Sequence, residues 1–124
     1  MQTCLIVDES NVIRKVASRI VFQLSLAVEN AASVAEALAL IGDGDVPDLL
    51  IVASSLPDMP AEDFIRTLRA RPGGKEAIIL AALVEANLGT MTRLKRAGAT
   101  GFVYKPFDRQ AMTRWVSPYV RSAA

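Results

Sequence analysis

The stretch LLIVASSLPDMP, residues 49–60, is an apolar run followed by a turn that contains two serines and two prolines. A continuous apolar run is typical of a strand that is buried on both faces, as in a parallel sheet covered by helices. Ala53 follows this run and occupies the carboxyl end of the predicted strand, where open α/β sheets place their binding groups. A methyl group is an unusual side chain for that position, because it offers no chemistry.

Further apolar runs alternate with helical patterns along the chain. We predict strands at residues 4–8, 26–31, 48–53, 77–83 and 101–104. We predict helices between and after them, at residues 10–24, 33–41, 61–70, 87–97 and 108–120. Five strand–helix units with short connections indicate one α/β domain over residues 1–124, with a doubly wound five-stranded parallel sheet.

Local signals mark the ends of these helices. Ser10 or Asn11 can cap the first helix, and Ser33 with Glu36 forms a capping box for the second. Pro118 is expected to kink or shorten the last helix, because proline interrupts the helical hydrogen bonds. The apolar face of the first helix is predicted from 3–4 spacing to contain Val12, Ile13, Val16, Ile20 and Leu24.

The composition, with 52% hydrophobic and 22% charged residues in 124, is that of a soluble globular domain. No apolar run approaches the roughly 20 residues that span a bilayer, and a secretory signal pattern is absent. Cys4 is the single cysteine, so we interpret it as a buried hydrophobe and expect a cytoplasmic location. The chain contains no histidine, the commonest general base and metal ligand, so an enzyme is not expected.

The charge is unevenly distributed, although the net charge is only +1. Residues 1–85 carry seven basic and twelve acidic residues, a balance of −5, whereas residues 86–124 carry seven basic residues and one acidic residue, a balance of +6. Such asymmetry can mark a site for an anionic partner, but it can also reflect well-solvated helices. No nucleic-acid recognition motif is visible, so specific DNA binding is not expected.

The motifs together resemble the receiver domain of bacterial two-component response regulators. The resemblance rests on the adjacent acids Asp8 and Glu9, on a proline four residues beyond Ala53, and on the stretch GATGFVYKPF at residues 98–107. It covers essentially the whole chain and is similar to the single-domain, CheY-like type with no output domain attached. It implies a flavodoxin-like (βα)5 fold.

The spacing of the motifs also matches the family without a gap. Glu9 and Ala53 are 44 residues apart, Ala53 and Leu83 are 30 apart, and Ala53 and Lys105 are 52 apart. In the family these positions hold an acidic pair that binds Mg²⁺, a phosphoacceptor aspartate, a Thr/Ser that bonds the phosphoryl group, and a lysine that pairs with it. An aromatic residue that changes rotamer corresponds to Phe102, and the bond between Lys105 and Pro106 is commonly cis in the family.

Two of these positions carry side chains that cannot perform the family's chemistry. Ala53 has no nucleophilic oxygen and Leu83 has no hydrogen-bond donor. Without a third carboxylate, Asp8 and Glu9 should hold Mg²⁺ poorly, because that ion requires near-octahedral oxygen coordination. We therefore interpret these residues and Lys105 as a degenerate phosphorylation pocket, and the chain as a pseudo-receiver that lacks the phosphoacceptor aspartate.

Other interpretations of this pocket stay open at the level of sequence. Lys105 is expected to pair with Asp8 or Glu9, although residual metal binding by the two acids is the alternative. A surrogate acceptor, Ser54 or Ser55, would need an activating base, and only Asp58 and Glu85 lie near in the predicted fold.

The segment of residues 86–120 matches the surface on which family members dock protein partners, and it is also the basic part of the chain. We define the basic face by these candidate residues: Arg93, Lys95, Arg96, Arg109, Arg114, Trp115 and Arg121. Trp115 is predicted either to anchor the last helix in the core or to form a surface platform for a ligand or partner.

Two functions follow from this assignment. The first is a phosphorylation-independent adaptor that docks on a kinase, phosphotransferase, motor or other regulator through the basic face, as a monomer or weak homodimer and without a cofactor. The second is a small-molecule effector, because a subset of receiver-like proteins binds cyclic di-guanylate through an arginine-rich patch. Arg109, Arg114, Trp115 and Arg121 could supply such a patch, since arginine binds phosphates and guanine edges and stacks on bases.

Overall fold

The computed structural model describes residues 2–120 of the chain. Its strands are β1 (Thr3–Val7), β2 (Ala27–Ala31), β3 (Leu49–Ala53), β4 (Ile78–Leu83) and β5 (Gly101–Tyr104). Its helices are α1 (Asn11–Gln23), α2 (Val34–Ile41), α3 (Ala61–Arg69), α4 (Leu88–Ala97) and α5 (Arg109–Val116). All strand pairs are parallel and the sheet order is β2-β1-β3-β4-β5, which confirms the predicted fold.

The central strands are buried on both faces, because alternate residues of each strand enter different layers. On β1, Leu5 and Val7 pack in the layer of α2, α3 and α4, whereas Cys4 and Ile6 pack in the layer of α1 and α5. This two-sided burial requires a continuous apolar run, and such a run predicts the central strand β3 to within one residue of its observed ends.

The helix ends follow the predicted capping. The hydroxyl oxygen of Ser10 accepts a hydrogen bond from the Ile13 N–H at 3.3 Å, and that of Ser33 accepts one from the Glu36 N–H at 3.2 Å. Helix α5 ends at Val116, and a short 3₁₀ helix that contains Pro118 follows it at Ser117–Tyr119. The last helix therefore ends before residue 120, which agrees with the expectation that Pro118 shortens it. Within residues 2–120, no helix has the length and apolar character needed to cross a bilayer.

The predicted apolar face of α1 was wrong in part. Val12 is 69% exposed and Val16 is 38% exposed, and the buried residues are Ala17, Ile20 and Val21. The helix contains two apolar stripes with the same spacing, and spacing alone does not decide which of them faces the sheet. The observed orientation turns Val12 and Val16 toward solvent.

Candidate functional site

The carboxyl ends of four adjacent strands bring the predicted pocket residues to one edge of the sheet. Asp8 directly follows β1, Ala53 ends β3, Leu83 ends β4, and Lys105 directly follows β5. The register aligns these ends: Ala53 pairs with Ala82, and Leu83 pairs with Tyr104. The Lys105 N–H extends the ladder by donating to the Leu83 carbonyl oxygen at 2.7 Å.

Lys105 and Asp8 form an ion pair across this edge. The Nζ atom of Lys105 lies 2.9 Å from Oδ2 of Asp8, and the two side chains are 16% and 5% exposed. The other carboxylate oxygen of Asp8 accepts a hydrogen bond from the Ser10 N–H at 2.9 Å. The pair joins the ends of β1 and β5, with the ends of β3 and β4 lying between them in the sheet.

The two residues between the members of this pair are apolar and buried. Ala53 is 1% exposed and Leu83 is 2% exposed, and Leu83 belongs to the layer packed by α2, α3 and α4. Neither side chain presents an oxygen or a nitrogen to the pocket. The structure places both residues at the strand ends predicted from the sequence.

The side chains at this edge do not fit Mg²⁺, the ion that the family's pocket binds. Both carboxylate oxygens of Asp8 already accept hydrogen bonds, one of them from an ammonium group, and Ala53 supplies no ligand. Glu9 is exposed. Among residues 2–120, no group of three or more His, Cys, Asp or Glu side chains could hold a metal ion. An Mg²⁺ ion would have to displace Lys105 from Asp8 before it could bind there.

Asp58, one of the two acids near Ser54 and Ser55, has a structural role in the fold. Its carboxylate oxygens accept hydrogen bonds from the Val34 and Ala35 N–H groups, both at 3.0 Å, and so cap the start of α2. These backbone hydrogen bonds hold the pKa of Asp58 below its ordinary value. The sequence does not reveal this cap, because the donors lie more than twenty residues away in the chain.

The aromatic residues of this part of the fold lie along β5 and α5. Phe102, at the position of the family's rotating aromatic, is half-buried and packs with Tyr104 against the layer of α4. Trp115 is also half-buried and meets Tyr104 edge to face, with ring centroids 5.9 Å apart. Trp115 packs against the core layer of α1 and α5, and its role as a surface platform for a ligand or partner stays a prediction. The bond between Lys105 and Pro106 is cis.

The basic residues predicted to form one surface point in several directions. Arg93 is directed toward α3, where it pairs with Glu62 at 3.3 Å, so it lies at the margin of the basic face rather than within it. Lys95 donates to the Thr100 carbonyl oxygen at 2.9 Å. Arg96, Arg109 and Arg114 are exposed. Arg121 lies outside the residues that the structure describes.

Two apolar side chains near the basic face were not identified from the sequence. Leu88, the first residue of α4, is 82% exposed, and Val84, in the loop before it, is 75% exposed. Both follow the end of strand β4 at Leu83, and the polar residues Glu85 and Asn87 lie between them. They are aliphatic, whereas the residues predicted for the basic face were basic apart from Trp115.

Comparison with known proteins identifies the family. The sequence model of the response regulator receiver domain matches residues 4–117, and the chain belongs to this family. Receiver domains are signalling modules of two-component systems that interact with protein partners such as kinases or other regulators.

Individual relatives agree with this assignment. The chain is 28% identical over 109 residues, 87% of each protein, to the chemotaxis protein CheY of Pseudomonas aeruginosa. The structure of the chemotaxis response regulator CheY4 of Vibrio cholerae superposes with a TM-score of 0.88 at 28% identity, covering 96% of this chain and 98% of that one. A CheY-like receiver domain protein from Methanospirillum hungatei has the same fold, with a TM-score of 0.83 at 24% identity and coverage of 97% and 94%.

Proposed function

We propose that this chain is a single receiver-like domain that signals by reversible protein docking and without phosphorylation or enzymatic activity. The observation that carries the proposal is the composition of the pocket edge, where buried Ala53 and Leu83 lie between Asp8 and Lys105. A methyl group cannot form an acyl phosphate, and the lysine that would pair with a phosphoryl group is already paired with a carboxylate. In the unmodified protein, the two charged groups of the pocket, Asp8 and Lys105, therefore neutralise each other.

The basic face is the surface that we assign to docking, with Arg96, Arg109 and Arg114 as its exposed cations. Leu88, the exposed first residue of α4, supplies an apolar anchor, and Trp115 supplies a half-buried aromatic. Apolar and aromatic anchors bordered by arginine are the composition of interface hot spots. The surface fits a protein partner, such as a kinase, a phosphotransferase, a motor or another regulator, that presents acidic side chains around an apolar pocket.

The first experiment tests the pocket chemistry. The protein is incubated with acetyl phosphate and Mg²⁺ and its intact mass is measured, with Ala53→Asp as the matched control that restores an acceptor carboxylate. We expect no phosphoryl adduct on the natural protein. A stoichiometric gain of one phosphoryl group by the natural protein would refute the proposal.

The second experiment tests the docking surface. A tagged chain is used to recover partners from its native host, and Arg96→Glu with Arg114→Glu is compared with Lys15→Glu and Arg19→Glu on α1, which makes the same change in charge elsewhere. The first pair should abolish recovery of a partner that the second pair retains. Equal recovery by both pairs would show that the partner binds another surface.

A second candidate function is cyclic di-guanylate binding at α5, favoured by the exposure of Arg109 and Arg114. Residues five positions apart are separated by about 140° around a helix, so both guanidinium groups would have to bend toward one ligand. Calorimetry with cyclic di-guanylate tests it directly, and Arg109→Ala with Arg114→Ala should abolish the heat of binding. Absence of heat at high micromolar ligand removes this candidate.

A further inference from the structure

We infer that the amino-terminal edge of the sheet, opposite the degenerate pocket, binds a small organic cation with an apolar body. A cavity of about 550 Å³ opens there, within the range of typical small-molecule sites. Every part of its wall comes from the beginning of a strand or the loop before it, except for the end of α2. Its wall is formed by residues of four segments and α2: 3–5, 27–29, 45–48, Gly73 with Glu76 and Ala77, and 40–41.

The floor of this cavity is apolar and its rim is acidic. Val28, Val46 and Ala77 contribute to the apolar lining, together with the buried Cys4. The rim carries four carboxylates: Glu29, Asp45, Asp48 and Glu76. Among the described residues, the lining contains no lysine or arginine. This combination matches a ligand whose apolar part enters the cavity while its ammonium group stays at the mouth.

Three of the rim carboxylates are available to a ligand. Glu29, Asp45 and Glu76 are exposed and form no ion pair within residues 2–120. Since no group of three or more metal-ligating side chains could hold a metal ion in that part of the chain, the charge complementarity favours an organic cation over a bare metal ion.

Hydrogen bonds between the wall segments form the cavity in advance. The Val46 N–H donates to the Pro72 carbonyl oxygen at 2.9 Å, and the Thr3 N–H donates to a carboxylate oxygen of Asp48 at 2.9 Å. Gly73 has a positive φ of 78°, and a Cβ there would lie 3.2 Å from the Cβ of Asp45. Glycine at this position therefore lets the two loops approach each other, and a preformed site loses little entropy when a ligand binds.

The test uses tryptamine, whose indole ring and ammonium group match the floor and the rim. Backbone amide shifts are followed by NMR during titration, and indole-3-propionate serves as the matched probe with the same ring and the opposite charge. For a ligand of this size we expect a dissociation constant of roughly 0.1–1 mM. The shifts should saturate and should map to Thr3, Val28, Val46 and Ala77, whereas indole-3-propionate should leave these amides unchanged.

Charge variants separate this site from nonspecific attraction. Glu29→Gln with Asp45→Asn should weaken tryptamine binding about ten-fold, whereas Glu9→Gln with Glu85→Gln, the same charge change at the opposite edge, should alter it less than about two-fold. All four residues are exposed, so both variants should fold. Equal shifts with both probes, shifts that map outside the cavity, equal effects of the two variant pairs, or no saturation would each overturn the inference.

Discussion

Replacing Lys105 with methionine removes the ammonium partner of Asp8 while keeping most of the volume of the side chain. The aspartate is 3% exposed and would keep a single hydrogen bond, from the Ser10 N–H at 2.9 Å. Its second carboxylate oxygen would then face Ala53 and Leu83, neither of which can donate. The change therefore leaves a buried charge with one of its two oxygens unpaired.

The structure sets the expected size of this effect. Removal of one partner from a fully buried pair costs roughly 3–5 kcal/mol. The Lys105 side chain is 16% exposed, so water can reach the open end of the pocket and reduce the penalty. We expect the free energy of unfolding to fall by about 2–3 kcal/mol, which lowers the melting temperature of a domain of this size by roughly 8–12 °C.

A double-mutant cycle measures the pair itself. Urea unfolding is recorded for Lys105→Met, for Asp8→Asn and for the double variant, and we expect a coupling energy of about 2 kcal/mol. The exposed pair of Arg66 and Asp63, whose side chains are 56% and 54% exposed, is the matched control. Arg66→Met should cost less than about 0.5 kcal/mol. If the Lys105 and Asp8 variants behave like this control and their effects simply add, the pocket is not held by the ion pair.

Three further predictions concern other parts of the structure. The variant Ala53→Asp is expected to gain a phosphoryl group from acetyl phosphate. Its affinity for a captured partner should not change on phosphorylation, because Leu83 cannot donate a hydrogen bond to the phosphoryl group. A large change in affinity would contradict this prediction. Backbone hydrogen bonds lower the pKa of Asp58. The stabilising contribution of this carboxylate is therefore present above the ordinary carboxyl pKa of about 4 and is lost as the pH falls through the lower pKa of Asp58 in the folded protein. The difference in melting temperature between the natural protein and Asp58→Asn should shrink on acidification, and a constant difference would refute the capping role. Burial raises the pKa of the Cys4 thiol to about 12, so a thiol reagent at mildly alkaline pH should label it only after denaturation, and rapid labelling of the native protein would show that the thiol is accessible.

The strands and the position of the pocket could be predicted because they depend on patterns local in the sequence. Leu49 to Val52 form an apolar run that only a doubly covered strand can bury, and parallel topology then places the strand ends at one edge. Parallel topology thereby predicts that Ala53, Leu83 and Lys105 lie at the same edge of the sheet. The sequence does not distinguish Asp8 from Glu9 as the partner of Lys105, since both follow β1 and only the three-dimensional structure separates them.

Contacts between distant segments could not be predicted in this way. Asp58 caps a helix that begins 24 residues earlier, and Arg93 pairs with Glu62 on the neighbouring helix. Arg69 donates to the carbonyl oxygens of Gly74, Ala77 and Gly98, which ties the loop between α3 and β4 to the loop between α4 and β5 at the amino-terminal side of the sheet. No periodicity encodes these partners, because each depends on the rotation and the packing of separate helices.

A strand that ends in a methyl group also affects how long a signal lasts. The lifetime of an acyl phosphate is set by the rate of its hydrolysis. Because Ala53 cannot form an acyl phosphate, that rate cannot set the duration of a signal at this position. Under the proposed docking function, the duration of a response equals the residence time of the complex, and its amplitude follows the number of copies relative to the dissociation constant. A cell would then adjust the output by synthesis and degradation of the protein rather than by enzymes that add or remove a phosphoryl group.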